Sequence, residues 1–134
     1  MRILTIEGDN SIHELYQLFG DEEGVEFDQH LPREVHPRAQ QKFGSPQELV
    51  TLVRQYDGLV LDRETFVQNA CVGHPIPLLD SYLRALADSN YERRVIITTT
   101  QDRTTTQSEE EIFPKAKWLR KPLEVADLIR DLRE

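Results

Sequence analysis

Apolar residues along this chain fall into two alternating rhythms. Short runs rich in β-branched residues stand at Arg2 to Ile6, Leu59 to Leu61, Arg94 to Thr98 and Ala116 to Leu119, and each reads as a buried strand. Val25, Phe27 and Leu31 alternate with polar neighbours and predict one further strand. Between these runs the apolar positions recur every three or four residues, as one face of a helix requires. They are Ile12, Leu15, Tyr16 and Phe19, then Leu49, Leu52, Val53 and Tyr56, then Leu78, Leu79, Tyr82, Leu83 and Leu86. A last set, Leu123, Ala126, Leu128, Ile129 and Leu132, follows Pro122, which is expected to open that helix.

Local signals punctuate the pattern. Asp9 and Ser11 are both helix N-caps by type, and Gly20 is expected to end the first helix. Ser45-Pro46-Gln47-Glu48 is a capping box. Residues 32–44, with Pro32, Pro37 and Gly44, predict a polar surface loop with room for a short strand extension. Residues 63–77 predict a long connection. Thr104-Thr105-Thr106 is poor helix material, so Gln101 to Glu111 predicts at most a short, loosely held helix, with Glu109-Glu110-Glu111 as its solvated start.

Strand and helix alternate five times, which predicts a single α/β domain over residues 1–134. Its sheet is five-stranded and parallel, with helices on both faces and right-handed crossovers. A net charge of −8 argues against wrapping nucleic acid, because phosphate contacts need clustered Lys and Arg. No apolar run approaches the length of a membrane span, and the opening MRILTIEGDN turns acidic too early for a signal peptide. The single cysteine, Cys71, fits a reducing, cytoplasmic setting. Cys71-Val72-Gly73-His74 has the look of a metal pair but lacks a second pair. His13, His30 and His36 have no partner spacing for catalysis.

Candidate chemistry gathers at the carboxyl ends of the strands, the edge where open α/β sheets place their sites. Asp62 closes one run, Thr99 another, and Lys121 follows Trp118-Leu119 closely. The first strand ends in Glu7-Gly8-Asp9, adding carboxylate to the same rim.

These residues resemble the receiver domain of two-component response regulators, which has a flavodoxin-like fold. RILTIEGDNSIHEL matches its opening, YDGLVLD its third strand, RVIITTT its fourth, and KWLRKPLEVADLIRDL its fifth strand and last helix. Trp118, three residues before the lysine, occupies the family's aromatic position, and twenty-two positions separate Thr99 from Lys121, the family's usual spacing. The resemblance is weakest between residues 28 and 50, where this chain is longer than most receivers.

The resemblance implies that Asp62 accepts a phosphoryl group from a histidine kinase or phosphotransfer protein. Lys121 and Mg²⁺ would neutralise charge, the ion being held by Glu7, Asp9, Asp62 and the backbone carbonyl of Glu64. Thr99 would bond the phosphoryl group, and Trp118 would change rotamer. The signal would pass to a downstream protein, or into a homodimer, through the face of helix four, strand five and helix five. Such a chain is not an enzyme beyond phosphorylating and dephosphorylating itself on Asp62. One departure bears on all of this: Gly8 stands where the second acid of the family's pair belongs, and Thr100 replaces a small residue. Gly8 leaves the backbone free for Asp9 to swing in. It also motivates a second reading, a pseudo-receiver kept as a protein-binding module without phosphorylation. A third compares Ile6-Glu7-Gly8 and Asp62-Arg63-Glu64 with the Mg²⁺-binding acids of Toprim nucleases, although the acidic charge and Lys121 weigh against it.

Overall fold

The computed structural model describes residues 1–67 and 77–134. The Cys71–His74 motif and most of the connection expected over 63–77 lie outside the described residues. Elements follow in the order β1 (Arg2–Ile6), α1 (Asn10–Glu23), β2 (Glu26–Gln29), β3 (Leu31–Pro32), β4 (Lys42–Phe43), α2 (Pro46–Val53) and β5 (Gly58–Asp62). A 3-10 turn (Arg63–Phe66) leads on towards α3 (Pro77–Asp88), β6 (Arg94–Thr99), α4 (Arg103–Ile112), β7 (Lys117–Arg120) and α5 (Val125–Arg133).

The main sheet is parallel throughout and has the order β2-β1-β5-β6-β7. This is the flavodoxin-like, doubly wound arrangement, and its strand order reverses between β1 and β5. Every residue of β5 is buried, as a central strand covered on both faces must be. Side chains alternate across the sheet. Leu4, Ile6, Leu59, Leu61, Val95 and Ile97 pack with Leu49, Val53, Leu79, Tyr82, Leu83 and Leu86 of α2 and α3. Ile3, Val60 and Ile96 point the other way, to Tyr16 of α1 and Val125, Leu128, Ile129 and Leu132 of α5.

Several local expectations are corrected. Gly20 does not end α1. The helix runs on to Glu23 and stops at Gly24, whose φ of 72° is left-handed and whose N–H donates to the Gly20 carbonyl. Gly20 serves packing instead: a Cβ there would lie 2.5 Å from the Val25 carbonyl oxygen and 2.8 Å from the Phe27 ring. Pro122 does not begin α5, which starts at Val125 after a cis Lys121–Pro122 peptide bond. The 32–44 loop is ordered by a small parallel ladder that pairs Leu31 with Lys42 and Pro32 with Phe43.

The largest correction is α4, a ten-residue helix with a buried ion pair where at most a short, loosely held helix was expected. Asp102 caps it by accepting from the Thr105 N–H (3.0 Å). Thr106 is buried and accepts from the Arg120 guanidinium at 3.0 Å. Glu109 is not solvated; it is fully buried and ion-paired at 2.7 Å with Arg63, itself fully buried. Poor propensity is overridden here by tertiary pairing.

Candidate functional site

Four strand ends build the site. The register sets Ile6 beside Leu61, Asp62 beside Thr98 and Thr99 beside Arg120. Residues just beyond β1, β5, β6 and β7 therefore share one rim. Lys121 Nζ lies 2.9 Å from Glu7 Oε1 and 2.9 Å from Asp62 Oδ1, so two of the predicted carboxylates and the predicted ammonium meet. Asp62 is buried, and both its oxygens are engaged. Oδ1 also accepts from the Thr98 hydroxyl (3.1 Å), and Oδ2 accepts from the Thr65 hydroxyl (2.8 Å).

Electrostatics follow from that packing. Burial first, and the Asp62 charge second, push the Glu7 carboxyl above its usual range, against the pull of Lys121. Burial works to lower the Lys121 pKa, but its bonds and charges with Asp62 and Glu7 outweigh it, and the net shift is upward. The ammonium therefore stays charged between two carboxylates.

Thr99 does not reach Asp62. Its hydroxyl donates to Glu64 Oε2 at 2.7 Å, while the neighbouring Thr98 supplies the hydroxyl on Asp62. Trp118 is half-buried beside α4, with the Arg120 guanidinium 5.9 Å from its ring centroid. Its buried indole N–H has no hydrogen-bond partner among the described residues.

The residues do not fit the cation that the fold family implies. Asp9 is committed to capping α1, its Oδ1 accepting from the Ser11 N–H at 2.9 Å. The Glu64 carbonyl accepts from the Val67 N–H at 3.2 Å. Glu7 is held by Lys121 on one oxygen and by the Asp9 N–H on the other (3.2 Å). No carboxylate projects from Gly8, and the space where one would start is taken. A Cβ on Gly8 would lie 2.9 Å from Cε1 of His36, whose Nε2 donates to the Thr65 carbonyl at 3.1 Å. Among the described residues, no three acidic, His or Cys side chains converge as metal ligands do.

Reasoning from sequence missed His36, Thr65, Thr98, Arg63 and the Glu64 side chain. Thr98 sits next to Thr99, which the resemblance did mark, and Glu64 was marked for its backbone carbonyl and not its side chain. His36 carried no signal, because its role depends on the β3–β4 excursion.

This architecture, with an acid, a lysine and a hydroxyl at the carboxyl edge, is the receiver-domain fold. Solved structures bear this out at the level of fold. The chain is similar to a Francisella response regulator 1452 receiver domain, with 20% identity, a TM-score of 0.60, and coverage of 98% of this chain and 93% of that one. It is likewise similar to the Vibrio cholerae chemotaxis protein CheY4, at 15% identity and a TM-score of 0.62, covering 98% and 95%. A third likeness is to a member of a streptococcal family of redox sensors evolved from two-component response regulators. There identity is 16% and the TM-score 0.60, covering 98% of this chain and 49% of that one. Comparison by sequence finds no matching family model and no matching curated relative.

Proposed function

We propose that this chain is a receiver-fold protein-interaction module that works without phosphorylation. The observation that carries the reading is His36 against Gly8. A carboxylate can attack an anionic phosphorus only when cations offset the repulsion. Here no carboxylate projects from position 8, a Cβ there would lie 2.9 Å from the His36 ring, and Lys121 is already bonded to two carboxylates. Asp62 is then a structural acid that ties β5 to β6, β7 and the 3-10 turn. The module binds a downstream protein through the face of α4, β7 and α5, has no catalytic activity, and works in the cytoplasm.

One observation favours the alternative, a phosphoacceptor served by a histidine kinase or phosphotransfer protein: the 2.9 Å contact between Lys121 and Asp62. The two readings separate cleanly. The chain is incubated with acetyl phosphate, or with beryllofluoride, in the presence of Mg²⁺. The expected result is unchanged intact mass and unchanged Trp118 fluorescence. A phosphoryl adduct that disappears in Asp62→Asn would overturn the proposal and install the alternative.

A further inference from the structure

Asp62, Arg63 and Glu64 are consecutive, yet each is anchored to a different part of the fold. Asp62 is bound within the strand ends, Arg63 pairs with Glu109 of α4, and Glu64 turns to the junction between β6 and α4. The Glu64 carboxylate collects more donors there than any surface acid requires. Oε2 accepts from the Thr99 hydroxyl at 2.7 Å and faces the Arg63 guanidinium at 3.2 Å. Oε1 accepts from the Thr100 N–H at 2.5 Å and from the Thr100 hydroxyl at 3.1 Å. The Thr99 hydroxyl accepts in turn from the Gln101 N–H at 3.0 Å, so three successive residues are fixed by one anion.

Short charge-assisted bonds of this kind are the strong class. A backbone N–H, two hydroxyls and a guanidinium converging on one point form an oxyanion cradle by chemistry alone. We propose that Glu64 is a built-in ligand: its carboxylate fills an oxyanion cradle at the β6–α4 junction and holds the junction in one position with no added group. This rests on the reading above, in that with no phosphoryl group delivered Glu64 is the anion that the Thr99 hydroxyl bonds. The cradle's ligand class follows from its occupant, a small planar oxyanion of carboxylate size. Its position matters because Asp102, two residues past Thr100, caps α4, and α4 carries the Glu109 that Arg63 grips.

The test is chemical rescue. In the wild-type chain the Thr100 amide proton should resonate downfield, as a short charge-assisted bond to Glu64 requires. Glu64→Ala moves it upfield, and sodium acetate at on the order of tens of millimolar returns it saturably, while the filled wild-type cradle does not respond to acetate. Glu64→Gln keeps the shape but removes the charge, and should speed Thr100 exchange about tenfold or more without unfolding the chain. It therefore serves as the measurement should the alanine variant fail to fold. Unchanged Thr99 and Thr100 shifts and exchange in both variants would overturn the proposal, as would an alanine variant that folds but ignores acetate. Intact mass after acetyl phosphate treatment is read in the same samples. A phosphorylated wild type sinks the phosphorylation-free reading, whereas unresponsive Glu64 variants sink only the cradle.

Discussion

The imidazole of His36 occupies the path that any side chain on Gly8 would take, with Cε1 only 2.9 Å from the Cβ position. The absence of a side chain at position 8 and the placement of the ring are therefore sterically coupled. Placing a carboxylate there by Gly8→Asp alone must push the half-buried His36 ring aside, costing about 1 kcal/mol without creating a Mg²⁺ site. Gly8→Asp combined with His36→Ala should recover most of that stability and gain measurable Mg²⁺ affinity. Calorimetric titration with MgCl₂ beside urea unfolding checks both. A Mg²⁺ affinity in the single variant equal to that of the double would show that His36 does not obstruct the position.

Lys121 separates two buried carboxylates, so its removal leaves like charges facing each other. Lys121→Met should cost about 3–5 kcal/mol at pH 7, the usual penalty for stranding a buried charge. Glu7 already sits above its usual pKa, through burial first and Asp62 second, and would rise further. The folded variant then holds that proton more tightly than the unfolded chain, so its deficit against wild type narrows as pH falls below 7. Adding Glu7→Gln should recover part of the loss at neutral pH. Urea midpoints at pH 7 and pH 5 decide the matter.

Two glycines, one inside α1 and one capping it, should resist substitution for different reasons. Gly20→Ala improves helix propensity by about 1 kcal/mol, yet its methyl meets the Val25 carbonyl and the Phe27 ring. The net effect should be a loss of about 1–3 kcal/mol. Gly24→Ala meets nothing within 4 Å but must adopt a φ of 72°, a strain of about 1–2 kcal/mol. Thermal unfolding of Gly20→Ala and Gly24→Ala gives both values. A stabilised Gly20→Ala would mean that β2 can move away from α1.

Stability should fall on both sides of neutrality. His13 and His30 are held below their usual pKa chiefly by burial, partly offset by Asp28. The unfolded chain binds their protons more readily, so stability present above pH 6.5 is lost as pH falls below it. On the alkaline side, burial pushes Tyr56 and Tyr91 up to about 12. The folded chain then keeps phenolic protons that the unfolded chain releases near pH 10, and stability drops as pH rises from there. Urea midpoints from pH 5.5 to 11 trace both limbs. His13→Gln should flatten the first and Tyr91→Phe the second.

What could be read in the sequence is what local pattern encodes. The five main strands came from apolar runs, and Asp62, Glu7 and Lys121 meet because those runs end where a parallel sheet brings them together. The failures share a physical origin in pairings distant along the chain. Among the described residues, the buried face of α4 is formed by Thr106 and Glu109, residues that pattern assigns to water, and Glu109 pairs in the interior with Arg63, forty-six positions away. Gly20 looks like a stop because glycine costs helix propensity; it is retained for the close approach of β2. Thr99 was legible as a hydroxyl at a strand end, but its partner was not, since nothing local distinguishes Glu64 from a solvated acid.

The ladder pairing Leu31 with Lys42 and Pro32 with Phe43 runs parallel, and that direction constrains how the chain can change. A tight two-residue turn joins only antiparallel neighbours, whereas parallel ones demand a crossover. Residues 33–41 are that crossover, and they bear His36. Trimming them to a minimal hairpin would therefore forbid the parallel pairing, and the imidazole that leans on Gly8 would lose its support along with it.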